Sequence, residues 1–143
     1  MFQISKVLPY PADFLKSIVA DVESYPQFLP WVKAVVVYPK NQEFFESELT
    51  IGYGPLERTY RSEVFIYDDA VEAKAVSDSI FKFLETRWQF TTYEDNRCLI
   101  NLTIDFLLQS SLLQLTVGKL LDEAANKMIA AFEHQAAKLW QNQ

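Results

Sequence analysis

Residues 98–140, CLINLTIDFLLQSSLLQLTVGKLLDEAANKMIAAFEHQAAKLW, change hydrophobic period partway through, and that change decides the fold. Up to Leu108 the pattern alternates. Ile100, Leu102, Ile104 and Phe106 share one side, and Asn101, Thr103 and Asp105 the other, as in a strand with one buried face. Farther on, Val117, Leu120, Leu121, Ala124, Met128, Ala131, Phe132, Gln135 and Leu139 recur at helical spacing. Ser111-Leu-Leu-Gln114 has the capping-box pattern, so the spacing predicts one helix from about 111 to 140, roughly 45 Å long. A helix of that length reaches across an entire sheet.

Upstream, period two recurs. FKFLETRWQFTTY (81–93) sets Leu84, Thr86, Trp88 and Phe90 on one face. RTYRSEVFIY (58–67) does the same with Tyr60, Ser62, Val64 and Ile66, and EFFESELTIGYG (43–54) with Phe45, Leu49, Ile51 and Tyr53. Further strands are read at 2–10, 31–40 and 70–76. The turn signals YGPLE, Asp68-Asp69 and EDN lie between strands and predict an antiparallel sheet. After the first strand, Pro11 suits a first helical turn, with Phe14, Leu15, Ile18, Val19 and Val22 as its apolar stripe. Ser24-Tyr-Pro-Gln27 is a second capping-box pattern, for a short helix that Pro30 ends. The predicted fold class is α+β: a curved antiparallel sheet of about six to seven strands, two short helices after the first strand, and one long C-terminal helix.

The chain has 143 residues, half of them apolar, with 11 Phe, 7 Tyr and 3 Trp to build a core, and reads as one domain over 1–143. The net charge of −6 disfavours DNA, RNA or an anionic membrane as a direct electrostatic partner. Cys98 is the lone cysteine, so an internal disulfide is excluded. The N-terminal MFQISKVLPYP lacks the pattern of a signal peptide, and no apolar run reaches the ~18–20 residues of a membrane span. These features predict a cytoplasmic bacterial protein, peripheral at most to the inner membrane, or a matrix protein if the chain is a processed mitochondrial form.

The stretch YPQFLPWV (25–32) raises a separate question. Its two prolines forbid a long helix and an ordinary strand interior, yet it carries Tyr25, Phe28, Leu29 and Trp31, which a solvated bend does not need. Either these side chains plug one end of the sheet as core, or they form the wall of an apolar cavity between sheet and helix. The inward set Leu49, Ile51, Tyr60, Val64, Leu84, Trp88, Phe90, Ile104 and Phe106 has the same two readings. Arg58 and Ser62 share the Tyr60 face and can donate to a carbonyl oxygen if they point inward; Arg58 otherwise ends a strand in solvent. Gly118 marks a late helix start, close packing, or close approach of a ligand. His134, the one histidine, reads as a solvated helix residue, and with Cys98 it cannot supply a zinc ligand set. No acid, base and oxyanion site assemble along the chain, which predicts a non-enzyme without metal or cofactor.

YPQFLPWV, FKFLETRWQF, IDFLLQSSLL and KMIAAFEHQAAKLW together resemble the coenzyme Q-binding protein family, which includes bacterial ribosome association toxins and oligoketide cyclase/lipid transport proteins. The resemblance spans essentially the whole chain, though Val32 stands where members often carry Cys, and His134-Gln135 near where they often carry Arg. It implies the START-like helix-grip fold, a sheet wrapped around the long helix. It also implies a hydrophobic ligand, ubiquinone or a precursor, held under the helix and carried in support of cellular respiration. Phe28, Leu29, Trp31, Leu49, Ile51, Arg58, Tyr60, Ser62, Val64, Leu84, Trp88, Phe90, Ile104, Phe106, Val117 and Leu121 are then the candidate ligand-binding residues. Ubiquinone would be ligand and not cofactor, and respiratory complexes or a membrane surface would be transient partners. The alternative that the same resemblance carries is an interaction protein that binds the large ribosomal subunit and blocks subunit association.

Overall fold

In the computed structural model, which describes residues 1–39, 41–53, 55–76 and 80–141 (Tyr53 by its backbone alone), strand β1 (Phe2–Leu8) leads into helix α1 (Ala12–Ala20) and a 3-10 helix (Val22–Gln27). Six strands follow: β2 (Val32–Tyr38), β3 (Phe44–Tyr53), β4 (Leu56–Ile66), β5 (Ala70–Ala75), β6 (Phe81–Thr92) and β7 (Cys98–Leu108). The chain ends in α2 (Ser111–Thr116) and α3 (Gly118–Gln141). Every neighbouring strand pair is antiparallel, in the order β1-β7-β6-β5-β4-β3-β2. This is the seven-stranded sheet and long C-terminal helix that the sequence predicts.

That order sets a task for the first connection. β1 and β2 lie on opposite edges, six inter-strand gaps apart, or ~29 Å at ~4.8 Å each if the sheet were flat. Nine α-helical residues at 1.5 Å and six 3-10 residues at 2.0 Å cover about 26 Å, so the two short helices bridge the sheet. Register shifts between Val32 and Ala34 in β2 and between Phe81 and Phe83 in β6 add local bends. In the β6–β7 turn, Glu94 and Asn96 take the left-handed conformation, at φ 54° and 55°. The turn at YGPLE includes Gly54, which lies outside the described residues.

The long helix differs from expectation. It is broken at Val117, which is buried in a small core with Ile51, Phe81 and Leu108. The cap is Ser110, one residue earlier than expected: its Oγ accepts the Leu113 N–H at 3.1 Å. Gln114 does not complete a capping box; its Oε1 accepts the Leu108 N–H at 3.4 Å. With the break in place, the phase of α3 is set by its own contacts with the sheet. Ala125, Ile129 and Ala136 are buried in the stripe, whereas Leu139 is 37% exposed.

Ser24 is not a cap either. The break between the two short helices falls at Asp21, whose N–H bonds back to Ser17 and Ile18, and Ser24 Oγ donates to Asp21 Oδ2 at 2.6 Å from inside the 3-10 helix. Burial of Val22 fixes the earlier start, because the chain must turn there to keep it on the core. Gly118 is the first residue of α3, the late helix start among its readings, and it packs against Gln114.

The two described glycines respond differently to a methyl group. A Cβ on Gly52 would meet the Leu56 carbonyl oxygen at 2.7 Å, a backbone atom that cannot swing away. One on Gly118 would meet Gln114 Nε2 at 2.8 Å, the far end of a flexible side chain. Gly52→Ala is expected to destabilise by about 1–3 kcal/mol and Gly118→Ala to stay within about 1 kcal/mol of the parent, read from urea unfolding midpoints.

Candidate functional site

The strand registers explain why a space exists beneath α3. Ser47 of β3 faces Ser62 of β4, Ser62 faces Ala75 of β5, Val64 faces Ala73, and Ala73 faces Thr86 of β6. The middle of the inward face therefore carries short side chains. Above it α3 presents Ala124 and Ala125. Small residues on both layers leave a cavity of about 120 Å³.

Large apolar side chains surround this hollow. Leu29 and Trp31 close it from the YPQFLPWV segment, Leu49 and Ile51 from β3, and Tyr60 and Val64 from β4, which also contributes Ser62. Leu84 and Trp88 come from β6, Ile104 and Phe106 from β7, and Leu121 from α3. Four of the expected residues lie elsewhere. Phe28 packs on the rings of Tyr25 and Phe132 (centroids 6.0 and 5.0 Å apart). Phe90 is stacked at 6.4 Å on the far side of Trp88, and Val117 belongs to the small core at the α2 end. Arg58 is exposed: it pairs with Ile51 near the hairpin end, and its guanidinium donates to the Glu57 carbonyl oxygen at 2.7 Å. It is the strand-end arginine in solvent.

The structure adds lining residues outside the candidate set, Ser47, Ala73, Thr86, Met128 and Phe132 among them, together with Tyr25 of the YPQFLPWV stretch. Ser47 had a signal, since it sits at even spacing between Phe45 and Leu49 on the buried face of β3. Met128 and Phe132 lay in the helical stripe, but nothing in one sequence says which stripe residues border a space.

The cavity wall is apolar apart from hydroxyls. The Tyr25 hydroxyl donates to the Val19 carbonyl oxygen, and burial pushes the phenols of both Tyr25 and Tyr60 far above their ordinary range. Both stay protonated at neutral pH. Ser47 Oγ is fully buried with no hydrogen-bond partner among the described residues. Cys98 is buried outside the cavity lining, and burial pushes its thiol up, away from the thiolate form. His134 is exposed, and among the described residues no group of three or more His, Cys, Asp or Glu is placed to hold a metal ion. No helix of the described residues is long and apolar enough to cross a membrane.

A second, outer groove of about 290 Å³ adjoins the first, lined by Pro30, Trp31, Lys33, Gly52, Leu120, Glu123, Ala124 and Lys127. Trp31 and Ala124 border both spaces. The partition between inner cavity and outer groove therefore runs from the end of the YPQFLPWV segment to the first turns of α3.

The family model described as polyketide cyclase/dehydrase and lipid transport matches residues 8–133. The ribosome association toxin RatA of Pseudomonas aeruginosa is 33% identical over 138 residues, covering 96% of both chains. The mitochondrial coenzyme Q-binding protein COQ10 homolog B of Xenopus laevis is 30% identical over 143 residues, covering 97% of this chain and 59% of that one. Among solved structures, the Zhui aromatase/cyclase from Streptomyces superposes with a TM-score of 0.78 at 16% identity, over 96% of this chain and 93% of that one. At that identity the superposition shows a shared fold.

The buried phenols make stability depend on alkaline pH. An unfolded tyrosine ionises near pH 10, whereas Tyr25 and Tyr60 hold their protons well beyond it. Their contribution is complete below about pH 10 and falls as pH rises further, by up to about 1.4 kcal/mol per pH unit for each group. Urea unfolding at several pH values from about 9 to 11.5 is expected to show this fall, to which the buried Cys98 thiol adds in the same direction, and Tyr60→Phe to make it shallower.

Proposed function

Because the chain belongs to the polyketide cyclase/dehydrase and lipid transport family, with RatA and COQ10 proteins among its relatives, we propose that it binds a hydrophobic prenylated molecule, ubiquinone or a precursor, in the cavity beneath α3 and carries it in support of respiratory electron transport. The supporting observation is the hollow itself, a space walled by Trp31, Trp88, Phe106, Phe132 and aliphatic side chains. Burying an isoprenoid tail gains about 25 cal/mol per Å² of apolar area removed from water, so a wall of this kind is enough to hold such a cargo without catalysis. The lining residues supply hydroxyls that can donate and accept hydrogen bonds. Among those described, none is a carboxylate, imidazole or amine that would take a proton at neutral pH.

Size adds a constraint. Ligand pockets commonly run ~300–1,000 Å³, so a cavity of about 120 Å³ holds only part of a prenylated molecule as it stands. The rest of the ligand would pass between Trp31 and Ala124 into the outer groove. Transient contact with a membrane surface or a respiratory complex would deliver or receive it.

The RatA relatives favour a second reading, a factor that binds the large ribosomal subunit and blocks subunit association. A net charge of −6 directs that reading to a ribosomal protein surface and away from rRNA phosphates. Co-sedimentation with 50S subunits at low salt separates the two: retention there without bound lipid supports the ribosomal role.

For the carrier role, the test is native purification from quinone-producing cells, solvent extraction and mass spectrometry. A prenylquinone near one per chain is expected. Ala73→Leu, which fills the hollow from the sheet side, is expected to leave the protein folded by circular dichroism and to reduce the extracted ligand at least tenfold. An empty extract from parent protein that also takes up no added quinone would return the cavity to the status of imperfect core.

A further inference from the structure

The two serines in the middle of the cavity are hard to explain as packing. Ser47 and Ser62 are direct cross-strand partners on the inward face, 0% and 4% exposed, and both line the hollow. Side chains so paired stand ~4.5–5.5 Å apart at Cβ, close enough for both hydroxyls to reach one acceptor atom. Ser47 Oγ has no partner among the described residues, and a buried hydroxyl left in that state is unfavourable relative to the alanine that would fit the same place. Thr86, on the inward face one row away, and Tyr60, two residues before Ser62, also line the hollow. The hydroxyls thus gather on one wall of an otherwise apolar space.

Resting on the proposed carrier role, we propose that Ser47 and Ser62 form a polar floor that receives the carbonyl oxygen of a ligand ring, so that the ligand enters head first and its apolar tail lies toward Trp31. The direction follows from the layout. Along β3, Ser47 lies five residues from Gly52, which lines the outer groove, a separation of ~17 Å. The unpartnered donor is at the inner end. The charged side chains, Lys33, Glu123 and Lys127, rim the outer groove, where water can solvate them and where a tail leaving the cavity would lie along Leu120 and Trp31. The cargo class is an apolar molecule with a hydrogen-bond-accepting ring at one end, as opposed to a lipid whose only polar group is a charged head.

Two probes with the same ten-carbon tail test this: decylubiquinone, and decylbenzene, whose six-membered ring carries no oxygen. Binding of each is measured by equilibrium dialysis with solvent extraction, for the parent and for Ser47→Ala, Ser62→Ala and the double variant. The expected result is a loss of decylubiquinone affinity of about three- to tenfold per serine, with decylbenzene affinity changed less than about twofold. The melting temperature of empty Ser47→Ala should meanwhile rise by a few degrees, because the variant removes a buried donor without a partner. Losing affinity for the quinone while gaining stability is something that a merely structural serine would not show. Unchanged quinone affinity in the double variant, or equal losses for both probes, overturns the polar floor and leaves the carrier role standing. Decylbenzene binding to the parent without decylubiquinone binding also overturns the floor. Failure of both probes to bind the parent removes the carrier role and the floor with it.

Discussion

The ring of Phe132 is the point on which the arrangement depends. It projects from α3 and meets three other aromatic rings edge-on: Tyr25 at 5.4 Å, Phe28 at 5.0 Å and Trp88 at 4.7 Å. Tyr25 and Phe28 come from the segment that bridges the sheet, and Trp88 from the sheet itself. One side chain therefore joins the helix, the connector and the sheet, and each such pair contributes ~0.5–1.5 kcal/mol beyond the area it buries. The prolines of YPQFLPWV acquire a purpose in this light. They bend the chain so that consecutive aromatic residues turn under α3, and the Tyr25 hydroxyl fixes the bend by donating to the Val19 carbonyl oxygen. Both readings of that stretch hold for different side chains: Phe28 is core, and Leu29 and Trp31 are wall.

A hollow in the middle of a small protein is unfavourable. At about 24 cal/mol per Å³ of cavity, 120 Å³ corresponds to about 3 kcal/mol, a sizeable part of the 5–15 kcal/mol by which a domain is usually stable. It persists because both ends of the sheet–helix sandwich are filled. Toward the α2 end, Ile51, Phe81, Leu108 and Val117 pack together. Toward the other, α1 and α3 bury Leu8, Leu15, Ile18, Ile100 and Ile129 against the sheet. Two packed ends hold α3 at a fixed height, so the stretch over Ser47, Ser62 and Ala73 cannot collapse. A ligand filling that stretch would recover much of what the empty space forgoes.

The sequence showed the fold well because its signals there are periodic and long. Alternation in β3, β4, β6 and β7 extends over ten to twelve residues, and the helical stripe of α3 over more than twenty. Helix ends were less legible. Ser111 and Ser24 matched a capping pattern, but Ser110 is the cap in one case, burial of Val22 sets an earlier start in the other, and burial of Val117 breaks the long helix; local patterns carry no information about burial by distant strands. For the cavity, alternation gave the correct face for Leu49, Tyr60, Ser62, Trp88 and Ile104. It could not separate the wall of a hollow from the inside of a core, because that depends on what lies opposite. Parity alone placed Arg58 inward, yet its long stem near a hairpin end carries the charge to solvent. The informative residues were the small ones, Ser47 and Ala73, which an eye trained on large apolar side chains passes over.

What the fold determines and what the lining determines can be separated. An aromatase/cyclase shares the backbone arrangement at 16% identity, so this scaffold accommodates chemistry in other chains. General acid–base catalysis needs a group that changes protonation near the working pH and is aimed at the reacting atom. Here burial works against that by driving the phenols of Tyr25 and Tyr60 upward, and the lining serines bring only hydroxyls. Such groups can donate and accept hydrogen bonds but hold no proton ready for transfer at neutral pH. On the proposed carrier reading, a cavity apolar everywhere except for hydroxyls on one wall would hold its ligand in one direction and release it unaltered. The same desolvation that would raise the cost of a charged base in this space strengthens each hydrogen bond that a carbonyl would make there.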